Sequence, residues 1–193
     1  MLASMIHRRA DLRNHSGFTL VELLITLTIG AILMALAVPS MQGFIARKRL
    51  EGAASELVTD LRYMRAAQQE RGRPVRIRFS VNDAKTCYVI FVEGRAFNAD
   101  CNCGSEPVCA NVPSAAEALK VVSVPRSSGI ELRSTPGTMS LQGLNGLPAG
   151  GTTLRIAVTG PAGNEIEVAT NELARPSICS VSGYENSLNR CTR

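Results

Sequence analysis

The sequence predicts an α+β protein: a long amino-terminal transmembrane/amphipathic α-helix followed by an antiparallel β-rich globular domain. Three observations carry this prediction. Residues 18–38 are apolar apart from Glu22 and a few Thr and Gly. From Met41 to Met64 apolar residues recur at spacings of three and four, and after Pro74 the period switches to two. A helix followed by consecutive strands is the pattern of segregated helix and antiparallel sheet. The expected organisation is therefore a leader at 1–17, a helix at 18–72 that crosses a membrane over 18–38, and a globular domain at 73–193.

The first segment is long enough for its assignment. The run from Phe18 to Val38 is 21 residues, and a helical crossing takes about 20. A conventional secretory signal has a shorter apolar core and a small-x-small cleavage site. Ala35-Leu36-Ala37 supplies such a site, but the length of the run and the acid near its start fit that reading poorly. A plain single-pass anchor leaves Gly17 and Glu22 without a reason. A carboxylate in hydrocarbon costs a few kcal/mol unless paired, so Glu22 reads as functional. The natural partner is a positive charge at a new amino terminus. Arg8, Arg9 and Arg13 hold the leader on the cytoplasmic side, which directs the carboxyl-terminal domain outward.

Beyond Pro39 the apolar positions Met41, Phe44, Ile45, Leu50, Ala54, Leu57, Val58, Leu61 and Met64 form one helical stripe. Charged residues, Asp60 among them, are expected on the other faces. Gly72 and Pro74 end the helix, since Gly accepts a left-handed cap and Pro cannot continue. Strands are then expected at 75–81 and 87–92 around the turn Asn82-Asp83, and at 119–124, 130–133, 138–141, 154–158, 165–169 and 177–181. A cysteine-rich loop occupies 98–113 and a glycine-rich stretch 143–151, while the segment from Thr159 to Asn164 carries a hairpin signal.

Removing the leader's Arg8, Arg9, Arg13 and Asp11 from a net charge of +5 leaves +3, too mild to demand a nucleic-acid partner. The absence of Trp argues against a base-stacking platform. Arg76 and Arg78 on one strand face, with Arg71 and Arg73 nearby, are candidates for phosphate contacts, as are Arg190 and Arg193 with Arg175 in the tail. A solvated outer face is the reading preferred for them. The six cysteines, Cys87, Cys101, Cys103, Cys109, Cys179 and Cys191, lie on the outward side, where an even count reads as disulfides. Cys179 is expected to pair with Cys191, closing a polar terminal loop, and the other four among themselves. Zinc is disfavoured because C-x2-C spacing is missing and both histidines, His7 and His15, fall in the leader. No cofactor and no metal are expected. No catalytic constellation appears, and a mature chain without His lacks the commonest general base.

The motif Gly17-Phe18-Thr19-Leu20-Val21-Glu22-Leu23 resembles the prepilin-peptidase signature of the type IV pilin class. That resemblance implies cleavage after Gly17, N-methylation of Phe18, a registering role for Glu22 and a helix junction at Pro39. Leu57, Leu61, Arg65, Ala66 and Ala67, followed by Gly72 and Pro74-Val75, are similar to the GspH/FimT minor pilins and pseudopilins. The implied function is a minor pilin or pseudopilin subunit of a type IV pilus or type II secretion pseudopilus. Its implied partners are other pilins, the prepilin peptidase, the inner-membrane assembly platform and the membrane itself. It would sit single-pass in the bacterial inner membrane with its domain periplasmic, then pass into the filament. The alternative is a pilus-displayed DNA receptor for natural transformation, for which some relatives use a Gly-Arg-x-Arg motif. Here Gly163-Asn164-Glu165-Ile166-Glu167 stands at the corresponding place with acids instead of arginines, so DNA is possible but not favoured.

Overall fold

A computed structural model of the chain describes residues 18–94, 100–109, 116–143, 145–160, 163–182 and 191, without the side chains of 36–40 and 182. It contains the helix α1 (Leu20–Arg71) and nine strands, β1 (Val75–Val81), β2 (Lys85–Val92), β3 (Glu117–Pro125), β4 (Glu131–Thr135), β5 (Thr138–Gln142), β6 (Leu147–Pro148), β7 (Arg155–Thr159), β8 (Glu165–Thr170) and β9 (Pro176–Ser182). The chain divides into two compact units, Met1–Gln42 and Gly43–Arg193, with the division falling inside α1.

Both ends of α1 are set by local chemistry. Thr19 stands just outside the first turn, and its Oγ1 accepts the Glu22 N–H at 3.2 Å. That makes Thr19 the cap and puts Glu22 three positions in, the two places of a capping box. At the other end Gly72 takes φ +60° and donates its N–H to Gln68 O at 3.0 Å. A left-handed residue there satisfies a carbonyl the helix leaves open.

In the first unit, the large apolar side chains from Phe18 to Met34 are exposed. Among the described residues no helix is long and apolar enough to cross a membrane. The expected span of 18–38 runs into 36–40, whose side chains lie outside the described residues. Position 39 falls inside α1, so the helix assignment passes through Pro39.

In the second unit α1 buries Leu50, Ala54, Leu57, Val58, Leu61 and Met64 against the sheets, as the stripe predicts. Met41, Phe44 and Ile45 instead stay exposed, so the packed face begins at Leu50. The strands form two antiparallel sheets rather than one. The larger runs β3-β2-β1-β5-β6 and the smaller β4-β7-β8-β9. One core joins α1 to Val75 and Ile77 of β1, Tyr88, Ile90 and Val92 of β2, and Ile156, Val158, Ile166 and Val168 of the smaller sheet.

Strand β2 has buried residues on both faces. Tyr88, Ile90 and Val92 face the main core, whereas Cys87, Val89 and Phe91 pack with Cys101, Cys103 and Ala116 in a second cluster. The cysteine-rich segment is therefore a cover for the outer face of β2. The glycine-rich stretch also has structure of its own, since Leu147–Pro148 adds β6 to the edge of β5.

Candidate functional site

The amino-terminal candidates separate into those the structure describes and those it does not. Gly17 lies outside the described residues. Phe18 is 80 % exposed, and Glu22 is exposed one turn further on. Among the described residues Glu22 forms no salt bridge; its backbone N–H is held by the Thr19 hydroxyl. An acid in the first turn also faces the positive end of the helix dipole, worth about 0.3–1 kcal/mol. The capping role of Thr19 was readable from Thr-x-x-Glu ahead of an apolar run, and the sequence reading missed it.

Of the basic candidates, Arg76 pairs with Glu93 at 2.9 Å, and Glu93 also accepts the Ser140 hydroxyl at 2.6 Å. Arg78 pairs with Asp100. Arg71 meets Glu117 at 2.6 Å, and Arg73 donates to Glu93 O at 2.6 Å. Each guanidinium in that cluster is engaged within the domain. Arg190 and Arg193 lie outside the described residues. On β8, Glu167 pairs with Arg155 at 2.9 Å, so an acid of the Gly163–Glu167 segment serves the sheet.

Three disulfides join Cys87 to Cys103, Cys101 to Cys109 and Cys179 to Cys191, spanning 16, 8 and 12 residues. The first fastens the covering loop directly to β2. The carboxylate of Glu167 and the sulfurs of Cys179 and Cys191 lie within 4.8 Å of one another. Both sulfurs are bonded to each other, so no thiolate remains there to bind a cation.

One buried polar site went unread. Asp60 is 3 % exposed and stands on the packed face of α1, not on a solvent face. Its Oδ2 accepts the Tyr88 hydroxyl at 2.7 Å, and its Oδ1 accepts Lys120 Nζ at 2.6 Å. Glu56 adds a looser contact to Lys120 at 3.8 Å. Burial, and then the hydrogen bond to Asp60, push the Tyr88 phenol well above its ordinary range. The hydrogen bond to Asp60 raises Lys120, with desolvation opposing it. The arrangement ties α1 to β2 and β3. The signal was the spacing: Asp60 follows Leu57 by three and precedes Met64 by four, which places it among the buried positions.

Residues 12–38 match the family model described as the prokaryotic N-terminal methylation motif. The chain is type IV pilin-like at its amino terminus. That pilin-like segment contains Gly17, Phe18 and Glu22, and ends one residue before Pro39. Two crystal forms of the type IV minor pilin FimU of Pseudomonas aeruginosa are similar to the chain. One shares 15 % identity over 72 % of this chain and 92 % of that one, with a TM-score of 0.48. The other shares 14 % over 66 % and 90 %, with a TM-score of 0.46. No curated protein matches the chain.

Proposed function

We propose that the chain is a minor pilin or pseudopilin, a structural subunit that is cut after Gly17, methylated at Phe18 and assembled into a type IV pilus or a type II secretion pseudopilus. The observation that carries this reading is the methylation motif at 12–38, whose helix presents an almost wholly apolar, exposed surface with the single acid Glu22 near its start. Exposed apolar area of that extent marks a membrane or protein contact. Before assembly the cover is the inner membrane, with the domain on the periplasmic side. After assembly it is the corresponding helices of neighbouring subunits. In either place Glu22 is stabilised by a positive amine, that of Phe18 in its own chain or in a neighbour. The prepilin peptidase and the inner-membrane assembly platform are the partners this route requires.

A DNA-receptor role has less support. Arg76 and Arg78 already hold Glu93 and Asp100, and freeing them for phosphates would break those pairs. Mass spectrometry of the protein purified from its bacterial host tests the main reading. The expected first residue is Phe18 bearing a methyl group. A mature terminus at Val38, or an intact leader, would overturn it.

A further inference from the structure

The last turns of α1 and the loop between β8 and β9 enclose an open groove of about 390 Å³, lined by Arg62, Arg65 and Arg175 together with Ala66, Ala174 and Pro176. Its two walls are fastened to each other. Arg65 Nη1 donates to Leu173 O at 2.7 Å. Within the loop, Asn171 Oδ1 accepts the N–H groups of Leu173 and Arg175 at 3.0 and 2.9 Å, and Ala174 N–H donates to Asn171 O at 2.9 Å. Ala174 holds φ +56°, a left-handed conformation that L-residues with a side chain rarely adopt. It is kept there by its buried methyl, which belongs to the main core. The position of Arg175 is thus set by an over-determined turn, and such turns gather where a surface must be presented in one shape.

Elsewhere the domain neutralises part of its cationic charge, although among the described residues Arg49, Arg73, Lys85 and Arg126 meet no carboxylate and Arg73 and Arg126 donate to backbone carbonyls instead. Arg71, Arg76, Arg78, Lys120, Arg133 and Arg155 each meet a carboxylate. Among the described residues, Arg62, Arg65 and Arg175 meet none, although they share one groove. Leu173, beside them, is 48 % exposed. Arginine next to uncovered apolar surface is characteristic of protein interfaces.

We infer that this groove docks an acidic, partly apolar peptide segment of a neighbouring filament subunit, an inference that rests on the filament-subunit reading above. A guanidinium fork receives a carboxylate in two parallel hydrogen bonds, and Leu173, Ala174 and Pro176 accept the apolar residues between the acids. A nucleic-acid strand fits less well, because its evenly spaced phosphates need a continuing track of cations. Arg71, the next arginine along α1 from the groove, is already paired with Glu117.

The test titrates the full-length processed protein in detergent micelles with a short labelled peptide of alternating Glu and Leu. A Lys–Leu peptide, short duplex DNA and inorganic phosphate serve as competing probes at the same salt concentration. Arg62→Gln with Arg175→Gln, leaving Arg65 in place to hold the loop, should weaken the Glu–Leu peptide at least about tenfold. Arg62→Glu with Arg175→Glu should transfer binding to the Lys–Leu peptide. Unchanged binding by the glutamine pair, or tighter binding of DNA or phosphate than of the acidic peptide, overturns the inference. The terminal state of Phe18 reads the filament assignment alone and the titration reads the groove alone, so the two failures are distinguishable.

Discussion

Asp60 stands on the helix and takes its partners from two different strands, which makes Tyr88 and Lys120 sensitive reporters of how helix and sheet are joined. Tyr88→Phe leaves Asp60 Oδ2 buried without that donor and should cost about 1–3 kcal/mol in urea unfolding. The same pair sets an alkaline limit. An unfolded tyrosine releases its proton near pH 10, whereas the folded Tyr88 phenol is raised above that range. Between those two values the unfolded chain loses the proton first, so stability is full below about pH 10 and falls as pH rises further. Lys120 acts with the same sign. Unfolding midpoints at about pH 8 and about pH 11 should show a smaller drop in Tyr88→Phe than in the wild type; equal drops would remove Tyr88 as the source. Glu22 makes a separate residue-scale prediction. Glu22→Ala and Glu22→Gln should both be processed and inserted yet enter filaments poorly, because glutamine keeps the capping geometry and loses the charge. Normal incorporation of the glutamine variant would show that charge is not what registers the subunit. Gly146 has φ +61°, and a Cβ there would meet Gln68 Oε1 at 2.8 Å. Gly146→Ala should therefore destabilise by more than 1 kcal/mol, roughly, while Gly52→Ala on open helix surface should stabilise by up to about 1 kcal/mol.

At the scale of elements, the disulfides differ in what they protect. Cys179–Cys191 closes a terminal loop, and replacing both residues by Ser should cost at most about 3 kcal/mol. Cys87–Cys103 closes a segment of similar length, but it also pins the cover over Val89 and Phe91. Its double Ser variant should lose more, through added exposure of that cluster, and bind a hydrophobic dye that the Cys179/Cys191 variant does not. Comparable losses in the two variants would mean that the loop covers β2 without help from the sulfur link. The β1–β2 hairpin was legible because both strands carry their own period and Asn82 marks the turn: its Oδ1 accepts the N–H groups of Ala84 and Lys85 at 3.1 and 2.8 Å. The division into two sheets was not legible. β1 pairs with β5 and β4 with β7 across long stretches of chain, and a strand's own residues do not say which distant edge it will join. The continuous apolar run of β2 did signal burial on both faces, although its cover could be found only in three dimensions. Of the candidate sites, the amino-terminal motif was readable because it is contiguous. The arginine groove was not, because Arg175 lies far from Arg62 and Arg65 in sequence and is brought to them by the turn at Ala174.

At the scale of the whole molecule, among the described residues charge is concentrated in the second unit and the largest exposed apolar surface in the first. Among the described residues the first unit is exposed hydrocarbon with one acid, while the second neutralises part of its cationic charge by its own carboxylates. A protein so arranged should bind duplex DNA only in the non-specific range, about 10⁻⁴ to 10⁻⁶ M at physiological salt. Filter retention or anisotropy over a salt series would check this. Sub-micromolar binding abolished by Arg76→Ala with Arg78→Ala, or by Arg190→Ala with Arg193→Ala, would make the chain a DNA-uptake pilin.

The cap at Thr19 has a bearing on maturation. The helix begins at Leu20, so Phe18, the residue after the proposed cut, precedes its first wound turn. Proteases act on extended backbone and must ordinarily unwind a substrate that is helical at the cut. Here the hydroxyl of Thr19 already terminates the ladder, and the proposed cut after Gly17 would remove none of its rungs. On that proposed route the helix can stay fully wound while the bond before it is broken, which would leave a free amine beside an intact first turn.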